Sequence, residues 1–153
     1  MNRVPEDLQA LAVTVWVGAL WSVGLMVAPT LFHFVPDRVL AGSIAARLFT
    51  YTALLGMGCA SYLLLFRLAR FGSHAFRQAF FWVTLAMLAL TLVGQFGVYP
   101  IVEATRRQAL AAQVVEGMLR DRFATWHGVA SVLYVAECAL GLVLTLLHIR
   151  VPN

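Results

Sequence analysis

Four long runs of apolar residues, separated by short polar segments, organise this chain. They cover about residues 8–34, 47–66, 76–102 and 126–149, and their interiors carry almost no charged side chains. A helix needs about 20 mostly apolar residues to cross the hydrocarbon core of a bilayer. The pattern therefore predicts an all-α fold with a single domain over residues 1–153, built as an integral membrane bundle of four transmembrane helices.

The polar segments between the runs predict two turns and one further helix. Phe34-Val35-Pro36-Asp37 predicts the first turn and Gly72-Ser73 the second. In the segment 103–125, apolar residues recur at helical spacing and polar residues fall on the opposite side. We therefore predict an amphipathic surface helix before the last span, either lying on the membrane or extending the third span.

Composition and charge agree with a membrane location. Hydrophobic residues make up 61% of the chain, charged residues only 12%, and the mean hydropathy is +0.83. The formal net charge is +4, and the basic residues are all arginines scattered at the ends of the predicted helices. This scatter is typical of anchors on lipid headgroups rather than of a nucleic-acid-binding face. We expect membrane lipids as partners and no nucleic acid. Helix faces of small residues would also allow two copies of the chain to pack together as a homo-oligomer.

The arginines also bear on orientation. An even number of spans places both termini on one side of the membrane. Arg67, Arg70 and Arg77 lie on that side in one short connection without an acidic residue. The positive-inside rule therefore predicts cytoplasmic termini.

Glu137 is the first candidate for a functional residue, because it lies near the middle of the fourth span. An acidic side chain at that depth costs about 2.5–3.5 kcal/mol on insertion scales. Such residues commonly carry a proton, bind a cation or contact a substrate. The alternative is a protonated glutamate that serves only as a hydrogen-bonding partner between helices.

A polar stripe on the fourth helix provides further candidates. His127, Ser131, Tyr134, Cys138 and Thr145 fall within about 60° of one another at 100° per residue, with Glu137 on the shoulder of the stripe. We expect the stripe to face the bundle, either as a binding site or as ordinary interhelical hydrogen bonding. His127 in addition is a candidate haem or metal ligand or proton relay, with a solvated interfacial histidine as the alternative.

Two further groups of residues are candidates for a binding site. Gln95 shares a face of the third helix with Thr84 and Thr91, and a buried amide needs partners. Cys59 and Cys138 lie at similar depth and are weak candidates for a Cu(I) site, although cysteines also serve as apolar fillers. We expect no cofactor, with haem or copper as the alternatives.

Several segments together resemble a known family. They are Trp21–Phe32, Pro36-Asp37-Arg38, Ala41–Phe49, Gln95–Pro100 and Phe123–Ser131. Their order and spacing resemble the bacterial four-helix membrane domain of unknown function that is related to eukaryotic transmembrane protein 205. The resemblance implies the four-helix architecture and a bacterial inner membrane, and it implies no activity.

The first span also resembles two other four-helix groups, the copper-resistance membrane domain and the membrane-bound protoporphyrinogen oxidase family. The oxidase family would ligate haem through histidines of its first span. This chain has Leu8-Gln9-Ala10 at the entry of that span, without a histidine. The departure counts against a haem enzyme.

These observations leave three functional hypotheses. The leading one is a non-enzymatic membrane protein that binds or moves a small solute, ion or lipid at a site lined by Glu137, Gln95, His127, Ser131 and Tyr134. The second is a haem- or quinone-linked membrane redox enzyme that uses His127. The third is a structural subunit or scaffold of a membrane complex, in which the polar groups serve packing alone.

Overall fold

The computed structural model describes the backbone of residues 4–111 and 116–150, and the side chains of residues 5–108, 122 and 124–150. The described residues form helices and contain no strand. We number four long helices α1 to α4. Each is long and apolar enough to cross a membrane, and the chain is an integral membrane protein with a helical bundle fold, as predicted.

The first helical hairpin consists of α1 and α2. Helix α1 is continuous in three parts, α-helical over Val4–Trp21, π-helical over Ser22–Val27 and α-helical again over Ala28–Phe34. Helix α2 spans Arg38–Phe71. It begins well before the predicted span boundary at residue 47 because Asp37 caps it, with Oδ1 accepting from the amides of Val39 at 2.8 Å and Leu40 at 3.1 Å.

The second hairpin repeats the plan of the first. Helix α3 is α-helical over Ala79–Leu92, π-helical over Val93–Val98 and α-helical over Tyr99–Ala111, and α4 spans Glu116–Arg150. The two hairpins are joined by a 3₁₀ turn, Gly72–Arg77, as the Gly72-Ser73 pair predicts. Gly72 has φ 54°, a value that favours glycine.

The π-helical segments lie at the same place relative to a proline in α1 and α3. Ser22 and Val93 each lie seven residues before a proline, Pro29 or Pro100. Proline lacks an amide hydrogen, and its ring clashes with the carbonyl four residues earlier in a regular α-helix. The wider π turn shifts the hydrogen-bond register and lets each helix continue through its proline.

The four helices form a ring in which each packs against the next and α4 packs against α1. We call the end at which α1 and α3 begin and α2 and α4 end the terminal end, and the opposite end the distal end. The large apolar core side chains occupy the half near the terminal end. They are Val13, Trp16 and Leu20 from α1, Leu63 from α2, Phe80 and Met87 from α3, and Leu144 from α4.

Two glycines allow this core to close. A β-carbon at Gly56 would overlap the Trp16 indole, so the absence of a side chain on α2 lets the tryptophan lie against its backbone. A β-carbon at Gly141 would lie 3.4 Å from the Val17 methyls and 3.5 Å from Met87 Cε. Close approach of helix backbones through small residues is the usual packing device in lipid.

The segment predicted as a surface helix, 103–125, is helical in its described part. It is shared between the two long helices, because α3 continues to Ala111 and α4 begins at Glu116. This is the predicted extension of the third span, together with an early start of the fourth. The side chains that carry the amphipathic pattern, at 109–121, lie outside the described residues.

Candidate functional site

Glu137 lies at the centre of the packed face of α4. Its exposed fraction is 7%, and the buried positions Gly141 and Leu144 follow it at helical spacing. Sequence analysis placed this residue on the shoulder of the polar stripe, and in the structure this shoulder is the side of α4 that is packed. The close approach at Gly141 and the large apolar partners set the rotation of α4, because serine and threonine on the stripe can satisfy themselves on their own helix.

The Glu137 carboxylate meets a hydroxyl from the neighbouring helix. Thr91 Oγ1 on α3 lies within hydrogen-bonding distance of Glu137 Oε1, and it also lies 2.9 Å from the carbonyl oxygen of Met87. Within the described residues, no ion pair involves Glu137. The acid is therefore buried between α3 and α4 with an uncharged partner.

Tyr134 lies one turn before Glu137 and bonds α4 to α1. Its hydroxyl donates to the carbonyl oxygen of Leu20 at 2.6 Å, two residues before the π-helical segment of α1 begins. Its ring packs edge-on against Phe49 with 4.9 Å between the ring centroids, and a β-carbon at Gly24 would overlap it. The absence of a side chain at Gly24 is therefore what admits the tyrosine.

A second bond runs in the reverse direction between the same helices. Trp21 Nε1 on α1 donates to the carbonyl oxygen of Cys138 on α4 at 3.2 Å. The Tyr134 and Trp21 bonds thus form a reciprocal pair that fixes α1 against α4 beside Glu137.

Gln95 lies in the π-helical segment of α3, one turn from Thr91 towards the distal end, and its side chain is half-buried. The four-residue spacing places it near Thr91 on α3, and the shared face of the two residues stays a prediction.

His127 and Ser131 do not join this group. Both side chains are exposed, and the Ser131 hydroxyl donates to the carbonyl oxygen of His127 at 2.9 Å within α4. The distal part of the predicted stripe therefore faces away from the packed interior.

The two cysteines are half-buried on α2 and α4. Cys59 lines an apolar groove of about 310 Å³ between α1 and α2, together with Leu11, Val15 and Tyr62. Cys138 lies beside Glu137 on α4. Within the part of the chain that the structure describes, histidine, cysteine and acidic side chains nowhere gather in a group of three or more that could hold a metal ion.

A second polar cluster, which sequence analysis missed, lies at the terminal end. Arg67 was predicted to be an interfacial anchor, yet its exposed fraction is only 5%. Its Nη1 donates to Gln78 Oε1 at 2.7 Å. With the Gln9 amide oxygen turned towards it, the guanidinium donates to that oxygen from Nη2 at 2.9 Å and from Nε at 3.2 Å.

The environment of Arg67 is otherwise aromatic. The guanidinium carbon lies 4.2 Å from the centre of the Phe80 ring and 5.5 Å from that of Phe71. Such contacts stabilise a desolvated cation without neutralising it. The sequence holds a signal for this burial, because Arg67 follows Ala60 and Leu63 at helical spacing on the packed face of α2.

Comparison with known proteins identifies one family. A search of curated proteins and a search of solved structures each found no significant match. A model of the family described as "Domain of unknown function (DUF4149)" matches residues 11–111, which contain both π-helical segments, Thr91 and Gln95, whereas Glu137 follows the matched range. The match covers more than half of the chain, and the protein therefore belongs to the DUF4149 family of domains of unknown function.

Proposed function

We propose that this chain is a non-enzymatic membrane protein that binds a small cation, in its simplest form a proton, at Glu137. One observation supports the proposal above the others. A carboxyl group is buried near mid-membrane, and its described partner is a hydroxyl instead of a basic side chain. Acids in such positions usually take part in ion or proton pathways.

The contacts of Thr91 suit a group that gains and loses a proton. A threonine hydroxyl has one hydrogen to donate and two lone pairs to accept with. When Glu137 is ionised, Thr91 donates to it. When Glu137 is protonated, its own O–H donates to Thr91 Oγ1, and Thr91 donates to the Met87 carbonyl 2.9 Å away. Both protonation states therefore find hydrogen bonds without movement of either helix.

The packing around the carboxyl group favours a small ligand. Leu20 and Met87, whose carbonyl oxygens accept from Tyr134 and Thr91, are 2% and 0% exposed. The grooves of about 310 and 340 Å³ are lined by residues other than Glu137. A proton needs no cavity, whereas a solute of several atoms does. Tyr134 and Cys138, on the same helix, are titratable groups that interact electrostatically with Glu137.

Proton flux into dye-loaded proteoliposomes under an imposed pH gradient tests the proposal. We expect Glu137→Gln to abolish flux while the protein still inserts, because glutamine keeps the volume and the hydrogen bonds but cannot exchange a proton. Glu103→Gln is the matched control. Glu103 bonds Arg106 and Arg107 on its own helix at 3.0 Å and should tolerate the change without loss of flux.

The main competing function is a scaffold in which the polar groups serve packing. The reciprocal bonds of Trp21 and Tyr134 favour this alternative, since both side chains are bonded to backbone carbonyls. Equal flux in wild type and Glu137→Gln would support it and contradict the proposal. An absorbance spectrum of the purified protein tests the redox alternative, which expects a Soret band that is lost in His127→Ala.

We further propose a bacterial inner-membrane location with both termini in the cytoplasm, and a relation to transmembrane protein 205. The orientation is supported by Arg70 and Arg77 at the 3₁₀ connection. Arg67 adds no support, because it is buried rather than placed at the interface. Reporter fusions to each terminus test the orientation, and activity of a periplasm-specific reporter at either one would contradict it.

A further inference from the structure

The side chains between Glu137 and the terminal end differ from those between Glu137 and the distal end. Towards the terminal end, Trp16, Met87, Leu144 and Leu63 each have an exposed fraction of 0%, and all four helices contribute to this apolar layer. Thr84 is buried among them, and its hydroxyl donates to the Phe80 carbonyl of its own helix at 2.8 Å. Trp16 Nε1 has no hydrogen-bond partner within the described residues and offers one donor, whereas an entering water molecule needs two to four polar partners. The apolar layer therefore resists hydration.

Arg67 lies beyond this layer and adds an electrostatic barrier. Its described contacts are two amide oxygens and two aromatic rings, so its charge is solvated but not neutralised. A charge in a low-dielectric interior acts over longer distances than one in water. A fixed guanidinium in a narrow passage is an established way to exclude cations and protons.

Towards the distal end the packed residues are smaller. The buried side chains in the described part of this half include Ala41, Ala45, Val98 and Thr105, and Gln95 and Tyr134 lie between them and Glu137. A groove of about 340 Å³ with a mixed polar and apolar lining opens between α3 and α4, the same helix pair that holds Glu137. Its polar lining residues are Thr105, Gln108 and Arg122. Arg122 is exposed, so water and salt screen its charge, whereas Arg67 is buried.

We propose that Glu137 communicates with water at the distal end only, and that the apolar layer and Arg67 together close the terminal end. Arg67 thereby becomes a residue that determines cation exclusion, a role separate from that of Glu137. The proton part of this inference rests on the proposed function, whereas the one-sided water access does not.

Cysteine accessibility tests the inference with a matched pair on one helix. Met87 and Gln95 lie one turn before and one turn after Thr91 on α3. Each is replaced by cysteine in a background in which Cys59 and Cys138 are alanine, and each variant is treated with a membrane-impermeant cationic thiol reagent. We expect Gln95→Cys to react at least about tenfold faster than Met87→Cys, equivalent to about 1.4 kcal/mol.

The role of Arg67 is tested in the Met87→Cys background. Arg67→Gln should raise the rate of modification by the cationic reagent about tenfold, or 1.4 kcal/mol, relative to an anionic reagent of the same size. Arg67→Lys, which keeps the charge, should leave this ratio near its original value. An unchanged ratio in a folded Arg67→Gln protein would overturn the barrier role.

The comparison of Met87→Cys with Gln95→Cys keeps Arg67 in place, so it decides the one-sided access even if Arg67→Gln does not fold. Equal rates at the two positions, or a faster rate at Met87→Cys, would overturn the inference. Faster labelling of Gln95→Cys than of Met87→Cys, together with equal proton flux in wild type and Glu137→Gln, would support the one-sided access and contradict the proposed function. Equal labelling rates at the two positions, together with flux that is lost in Glu137→Gln, would contradict only the one-sided access.

Discussion

The terminal half and the distal half of this bundle are stabilised in different ways. The terminal half is filled by large apolar side chains such as Trp16, Leu63 and Met87, with a buried arginine at its end. The distal half follows the two π-helical segments and buries smaller residues, among them Ala41 and Val98. The contrast teaches that one ring of helices can be filled by large apolar side chains at one end and by smaller residues at the other.

The junction between the halves is where the polar interhelical bonds concentrate. Thr91 with Glu137, and Tyr134 with the Leu20 carbonyl, both lie within one turn of the beginning of a π-helical segment. A π turn breaks the regular register of backbone hydrogen bonds and is often found at functional sites. The position of the site at the end of the apolar layer is therefore a consequence of the fold.

The largest effect that separates the two halves is expected from truncation of their buried residues. Trp16→Ala should destabilise the protein by about 3–5 kcal/mol, because it removes a fully buried aromatic side chain. Val98→Ala in the distal half should cost only about 0.5–1.5 kcal/mol, because it removes the packing contacts of two methyl groups. Unfolding in mixed micelles with a denaturing detergent measures the free energy of unfolding of both variants. Equal losses of stability would contradict the difference in packing between the two halves.

Glycine substitutions sharpen the comparison at the junction. Gly24→Ala should destabilise by about 1–3 kcal/mol, because the new methyl group overlaps the Tyr134 ring and displaces its hydroxyl from Leu20. Gly18→Ala is the matched control on the same helix, because a β-carbon there meets nothing within 4 Å. We expect Gly18→Ala to stabilise by about 0.5–1 kcal/mol through its better helix propensity. Equal destabilisation by the two changes would contradict the packing described for Tyr134.

The smallest effect is expected at the exposed edge of the terminal end. Glu6 and Arg70 approach to 3.8 Å, and both side chains are more than one third exposed. Glu6→Gln should therefore cost about 0.2–1 kcal/mol, and the loss should shrink at high salt. The same unfolding measurement at low and high ionic strength checks this, and a salt-independent loss of several kcal/mol would show that the pair is not superficial.

Most of the fold could be predicted from the sequence, because hydrophobic runs in lipid leave the backbone few choices. The four helices, the turn before Asp37 and the turn at Gly72 all follow from local residue patterns. The early start of α2 at Arg38 was not predicted, because a hydropathy run shows where a helix is apolar and not where its cap lies.

The candidate site could be predicted less completely. The sequence identifies Glu137 and Tyr134 as polar groups of the fourth span, and it places Thr91 and Gln95 on one face of the third. It does not give the rotation of α4, which depends on how Gly141 packs against α1 and α3. His127 and Ser131 were therefore placed with the packed face although both are exposed.

Arg67 shows a different limit of sequence reading. An arginine near the end of an apolar run is usually an interfacial anchor. Its burial depends on hydrogen bonds to Gln9, near the start of α1, and to Gln78, directly before α3. These residues contact Arg67 only when the four helices have packed into a ring. Such a cluster is a property of tertiary packing rather than of any local pattern.

Infrared difference spectroscopy of the purified protein between acidic and alkaline buffers tests the central claim most directly. The account predicts a protonated-carboxyl C=O band that appears on acidification, shifts in D₂O, is absent from Glu137→Gln and is retained in Glu103→Gln. A difference spectrum that is the same in wild type and Glu137→Gln would show that Glu137 does not exchange a proton, and would contradict the account.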